Sequence, residues 1–224
     1  MTTIRLPAGF HMTSFLSSRI TSMPAIEVER RIYERFQQHG GHEGLLRYHG
    51  TFGPGIWLEY ASNNGLRQYI QTHEIDTKQC IQWAQRVTRA LAFVHSMNVV
   101  YADLTCNNIS LDDSLHAKLL DFSGSSLDGS DPCVVVTASH KCPGDDLKST
   151  RADLFALGST VYEILTGKPP YYGLGLKEME ITGLFKQSKF PETKSLGPIG
   201  DVITGCWQGG FGSANDVLGG VAIC

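Results

Sequence analysis

The chain has 224 residues, of which 42% are hydrophobic and 18% charged, with a formal net charge of -3. That is enough for a substantial core in one domain or two small lobes, and it excludes a disordered chain. No basic field is present to attract nucleic acid, and no window approaches the roughly 18 uncharged apolar residues of a membrane span.

Residues 1–23 carry no clear period and read as a lead-in. From Pro24 onward, Val28, Ile32 and Phe36 recur every four residues with charges between them. This predicts an amphipathic helix with proline in its first turn, ended by Gly40, Gly41 and Gly44. Leu45 to Tyr48 and Gly55 to Tyr60 predict strands separated by the turn-prone H-G-T-F-G-P-G. Thr77 is the expected N-cap of a long helix, with an apolar stripe through Ile81, Ala84, Val87, Leu91 and Val94. His95 at its end reads as a solvated or capped histidine without a function.

The stretch from Val99 to Ser123 holds the best candidate for chemistry. Asp103 and Asn108 stand five apart. They are followed by Ile109-Ser110-Leu111, a polar turn Asp112-Asp113-Ser114, and the apolar run Ala117 to Leu120 that ends in Asp121-Phe122. Two strands joined by a turn would bring Asp121 back beside Asn108. A carboxylate and an amide oxygen are hard ligands suited to Mg²⁺, which takes few protein ligands and accepts phosphate for the rest. Asp103 would then lie where an incoming hydroxyl meets a phosphoryl group.

Beyond Phe122 comes a turn-rich loop and the apolar run Cys133 to Thr137, with Ser123, Ser125, Ser126, Ser130, Thr137 and Ser139 as possible phosphate acceptors. From Leu154 to Leu165 apolar residues occur on nearly every side, which predicts a helix buried all round and stopped by Gly167 and Pro169. Two helices are expected within 175–186 and 199–208, and a last one begun by Ser213. Trp207 reads as core packing. The cysteines Cys80, Cys106, Cys133, Cys142, Cys206 and Cys224 show no C-x-x-C pair. They read as reduced thiols of a soluble intracellular, cytoplasmic protein.

The run Y-A-D-L-T-C-N-N followed by D-F-S resembles the H-R-D-L-x-x-x-N and D-F-G segments of eukaryotic protein kinases. The later match D-x-F-x-L-G-x-x-x-Y-E-x-L-T-G-K-x-P-Y is similar to the central helix of the kinase C-lobe. The segment L-E-Y-A resembles the kinase hinge. C-N-N-I-S-L-D and D-F-S-G-S-S-L-D-G are similar to divergent kinase-like proteins of filamentous fungi. The resemblance implies an α+β protein kinase-like fold: a partial N-lobe over 24–60 and a mainly helical C-lobe over 61–224. It implies Asp103 as the catalytic base, Asn108 and Asp121 as Mg²⁺ ligands, and Leu58, Glu59, Tyr60 and Ala61 around adenine. Glu29 as the helix glutamate, with Glu27 as the alternative, and Tyr101, Phe122 and Asp153 take structural roles, Asp153 by accepting hydrogen bonds from the catalytic-loop backbone.

The chain departs from that pattern at several places. The first lysine is Lys78, and no glycine-rich loop precedes Pro24. Arg19 lies at the right distance to face Glu29, but a planar guanidinium is not a compact ammonium. Ala102 and Thr105 replace an arginine and a lysine of the family motif. Ser123 replaces a glycine, a restriction if that position needs φ > 0. Gly144 stands where the family has a glutamate. The resemblance therefore implies ATP-dependent transfer to protein serine or threonine hydroxyls, with ATP and Mg²⁺ as cofactors and a protein as substrate or partner. A pseudokinase that acts as a binding or scaffold module is the second reading. A truncated form of a longer kinase is the third.

Overall fold

The computed structural model describes residues 23–53, 55–63, 65–144 and 146–224. Residues 1–22 of the lead-in, Arg19 included, lie outside the described residues, and Met23 belongs to the helix instead. Met23–Gln38 form α1, with Ile32, Tyr33 and Phe36 on its buried face. Gly40 and Gly41 end it at φ of +86° and +69°. Their amides donate to the carbonyls of Gln37 (3.1 Å) and Phe36 (2.8 Å), a closing turn that glycine adopts without steric cost.

Tyr48–Phe52 (β1) and Gly55–Leu58 (β2) pair antiparallel. The first strand lies further along than the expected 45–48, and the second stops before Tyr60. The reason is Gly50, whose φ of +124° accommodates an irregularity between Tyr48 and Gly50. Glycines that read as a turn instead let the strand bulge. Leu45 bridges Leu119 in parallel fashion, and the Leu119 amide donates to the Gly44 carbonyl at 2.8 Å. This fastens the N-terminal part to the helical body.

That body begins with α2 (Leu66–Thr72) and α3 (Thr77–Ser96). The N-cap of α3 is Asp76, not Thr77: its carboxylate accepts the Gln79 amide at 2.7 Å, which leaves Thr77 as the first helical residue. Cys80 and Trp83 join Ala84, Val87, Leu91 and Val94 on the buried face, whereas Ile81 is only partly buried.

Short strands follow. Val99–Val100 (β3) pairs with Ser126–Leu127 (β6), and Ile109–Leu111 (β4) pairs with Ala117–Leu119 (β5), both antiparallel. Thr150–Thr166 form α4, in which every residue from Ala152 to Val161 is buried. Glu178–Lys186 (α5), Pro198–Gln208 (α6) and Ala214–Val221 (α7) surround it. Gly158 lets α6 approach closely, because a Cβ there would stand 2.7 Å from the Cys206 Cβ. Trp207 is buried and donates to Ser159 Oγ at 2.9 Å. The fold is α+β and mainly helical, with, among the described residues, a small N-terminal part of one helix and one two-stranded sheet. Among the described residues no helix is long and apolar enough to cross a membrane.

Candidate active site

The site is assembled on α4. Asp153 is buried near the start of that helix, and its carboxylate accepts the amides of Tyr101 (2.7 Å) and Ala102 (2.8 Å). His95 Nε2 lies 2.8 Å from the same carboxylate. His95 is therefore neither solvated nor idle, and a helix-end histidine gives no local signal of a partner 58 residues away. Thr160 Oγ1, two turns further along α4, donates to the Leu104 carbonyl at 3.2 Å. The loop from Tyr101 to Asn108 is thus pinned at both ends of its sharpest bend, where Ala102 holds a φ of +68°. A non-glycine residue in that region persists only where its surroundings over-determine it.

Asn108 Nδ2 donates to the Asp103 backbone carbonyl at 2.8 Å and to Asp103 Oδ2 at 3.0 Å. Those bonds commit the amide nitrogen and orient the Asp103 carboxylate. The β4–β5 register, Ile109 opposite Leu119, extends through a bond from the Leu120 amide to the Asn108 carbonyl at 3.1 Å. Asp121 therefore comes next to Asn108. The positive φ of this turn, +59°, belongs to Asp121 and not to Ser123. Serine there causes no backbone conflict, and its amide and hydroxyl donate to Asp121 Oδ1 at 3.2 and 2.6 Å.

Phe122 is fully buried at the centre of an aromatic column. Its ring meets Tyr101 edge-on at 5.0 Å and Tyr33 at 5.3 Å, and Tyr33 stacks on Tyr48 at 6.0 Å. Tyr101 Oη also donates to the Leu120 carbonyl. The Phe122 amide donates to Glu29 Oε1 at 3.1 Å. Burial, with the Asp121 charge nearby, pushes the Glu29 carboxyl up to about 7. No lysine or arginine pairs with Glu29 among the described residues.

The hinge residues line a different wall. Leu58 is buried opposite Tyr48. The Glu59 amide donates to the Arg47 carbonyl at 2.7 Å, and its side chain accepts from Lys118 at 3.1 Å. Tyr60 is exposed, Ala61 is partly buried, and the Asn63 amide donates to the Leu111 carbonyl at 3.1 Å. Among the described residues, none of Leu58, Glu59 and Ala61 shares a hydrogen bond with Asn108 or Asp121.

In the segment after Phe122, Ser125 and Ser126 are buried, and their hydroxyls donate to the Tyr101 and Ser130 carbonyls at 2.9 and 2.6 Å. Neither is presented to a modifying enzyme. Sequence reasoning also missed a buried cluster nearby. Arg67 of α2 grips Glu163 of α4 through two bonds of 2.5 and 2.8 Å. His140 Nε2 stands 3.7 Å from the same carboxylate. Only the charged types of Arg67 and Glu163 could have hinted at this pair, and their separation of 96 residues hides it.

Residues 22–207 match the protein kinase domain family, so the chain belongs to that family. It is similar to the serine/threonine-protein kinase PDK1 of Cryptococcus neoformans var. grubii, 28% identical over 59% of this chain and 12% of that protein. It is similar to the serine/threonine-protein kinase ppk21 of Schizosaccharomyces pombe, 26% identical over 66% of this chain and 30% of that protein. The megakaryocyte-associated tyrosine-protein kinase of Rattus norvegicus is 26% identical over 74% of this chain and 37% of its own length. The chain thus spans well under half the length of each.

Proposed function

We propose that this chain is an ATP-dependent protein kinase domain that transfers the γ-phosphoryl group to a serine or threonine hydroxyl of a protein. The observation that supports this most is the fixed arrangement of Asp103, Asn108 and Asp121 on the Asp153 anchor. The residues fit a magnesium ion. Asn108 Oδ1 and Asp121 Oδ2 accept no hydrogen bond among the described residues, while each one's neighbouring polar atom is engaged. Two hard oxygen donors are what magnesium takes from protein when phosphate and water complete its shell. Bound with ATP, the metal neutralises charge on the phosphates.

The chain's own part is positioning and proton transfer. Asp103, oriented by Asn108, holds the acceptor hydroxyl and takes its proton as the oxygen forms its bond to the γ-phosphorus. The bond from that phosphorus to the bridging oxygen breaks, and ADP leaves with the electron pair. The backbone from Leu58 to Ala61 receives the adenine. The six free cysteines support a reducing, cytoplasmic setting.

Glu29 supports a second reading, a binding module without transfer, because no cation among the described residues holds it toward a nucleotide. Thermal unfolding with and without Mg-ATP, followed by radiolabel transfer to a mixed protein substrate, separates the two readings. The kinase reading expects a magnesium-dependent rise in Tm that Asp121→Ala abolishes. It also expects transfer that Asp103→Asn abolishes while the Tm rise is kept. A Tm rise without transfer supports the binding module, and no rise removes the nucleotide from both.

A further inference from the structure

Between β6 and α4 the chain runs through Pro-Cys-Val-Val-Val-Thr, residues 132–137, and pairs with no strand among the described residues. Exposure alternates from Asp131 to Thr137: Cys133, Val135 and Thr137 are exposed, Val134 and Val136 partly buried. None of these residues has a positive φ. Alternation of period two is the mark of an extended strand. The run is held from within the chain. The Cys133 amide donates to the Gly124 carbonyl at 3.0 Å, and Val134 packs on Gly124, where an added Cβ would collide with its Cγ1. Ala138 and His140 just beyond the run are buried, yet Val135 is 81% exposed.

Successive residues of a strand aim their backbone groups at opposite edges. Cys133 bonds toward Gly124, so Val135 shares that inner edge and Val134 and Val136 address the outer one. The amides and carbonyls of Val134 and Val136 have no hydrogen-bond partner among the described residues. An uncharged, β-branched run with an open edge is a template for another strand.

The run is complementary to itself. A two-fold axis through Val135 sets Val134 against Val136 of a second copy and Cys133 against Thr137. The outer-edge valines then exchange paired hydrogen bonds, and Val135 meets its counterpart in the non-bonded pair between them. Charges agree with this antiparallel direction. Asp131 precedes the run, in a surface pair with Lys148 at 2.5 Å that leaves the Asp131 side chain 88% exposed. Lys141 follows the run, exposed and without an ion pair among the described residues. Antiparallel pairing turns each Lys141 toward the Asp131 end of the other copy, whereas parallel pairing would set like charges together.

We propose that residues 133–137 pair, antiparallel and about a two-fold axis, with the same residues of a second copy of this chain. A ribbon this short buries less than the roughly 1,200 Å² of a standard interface, so the pairing is reversible and needs high concentration. It does not depend on phosphoryl transfer.

Sedimentation equilibrium of the full chain from about 10 µM to about 1 mM reads the association. The expected result is a monomer–dimer equilibrium that Val135→Lys weakens by about tenfold or more, because two cations then meet on the axis. Cross-linking by copper phenanthroline reads the register. Val135→Cys, in a chain with Cys133→Ser and Cys224→Ser, should join to its counterpart, since a non-bonded pair holds its Cα atoms about 4.5 Å apart, within disulfide reach. Native Cys133, kept in the Cys224→Ser chain, lies about 13 Å from its counterpart and should not. A monomer at every concentration, unchanged association in Val135→Lys, or cross-linking through Cys133 as readily as through position 135 would each overturn the proposal. A monomeric chain that instead binds a β-strand peptide of unrelated sequence would overturn it too, and give the edge to a foreign strand. The sedimentation of the unaltered chain does not depend on any variant's folding.

Discussion

The Asp153 carboxylate accepts the amide of Ala102 at 2.8 Å, and Ala102 holds a left-handed backbone with φ of +68°. A buried acceptor on a central helix thus holds the bend that aims Asp103. Asp153→Asn keeps the shape, loses one acceptor and sets a buried NH2 against backbone amides. The expected cost is about 3 kcal/mol, the scale for breaking a buried charged hydrogen-bond network. Urea denaturation measures it, and an unchanged midpoint would show that the bend holds itself.

Ser123 ties Asp121 Oδ1 through its hydroxyl at 2.6 Å. Ser123→Ala removes one hydrogen bond at a half-buried position without disturbing the backbone, since φ there is negative. The carboxylate gains rotational freedom, and the Mg-ATP-induced rise in Tm should shrink by an amount equivalent to about 1 kcal/mol of binding. A rise as large as that of the unaltered chain would show that Ser123 does not position Asp121.

Tyr33 is 1% exposed and its hydroxyl has no hydrogen-bond partner among the described residues. Burying a hydroxyl unpaired costs about 1–3 kcal/mol. Tyr33→Phe keeps the ring contacts with Phe122 and Tyr48, so it should raise stability by about 1 kcal/mol. Thermal or urea unfolding of the two proteins side by side decides this.

His140 is buried, and burial, with Arg67 adding to it, lowers its pKa from 6.5 to about 3. The unfolded chain then binds a proton in a range where the folded chain does not. Stability contributed by this residue is full above about pH 6.5 and is lost progressively as pH falls toward 3. Between pH 7.5 and 5.5 the loss should be about 1 kcal/mol, and His140→Gln should flatten that part of the profile. Urea denaturation at the two pH values is the measurement, and parallel profiles would refute the assignment.

The fold class and the order of helices are legible in the sequence because they rest on local periodicity. The apolar stripe of α3 and the all-round apolar character of α4 are visible in single windows of residues. The approach of Asp121 to Asn108 is legible for the same reason: two short apolar runs and a polar turn encode one hairpin. Boundaries are less so. Asp76 and Thr77 are both competent caps, and only the bond to the Gln79 amide separates them. The position of β1 depends on whether Gly50 turns or bulges, which strand pairing decides rather than the residue itself. His95 with Asp153, Thr160 with the Leu104 carbonyl, and Arg67 with Glu163 were not legible at all. Each joins distant elements, and nothing near either partner in sequence announces the other.

Phe122 is engaged from two sides at once. Its amide is held by Glu29 of α1, and its ring is clasped by Tyr33 and Phe36 of the same helix and by Tyr101 of the loop that carries Asp103. Asp121 is the preceding residue, so its orientation and the seat of α1 share one degree of freedom. Swinging Asp121 away would drag the Phe122 ring out of the column and strip Glu29 of its amide. Lifting α1 would release the same ring. Displacing either end of this linkage therefore displaces the other.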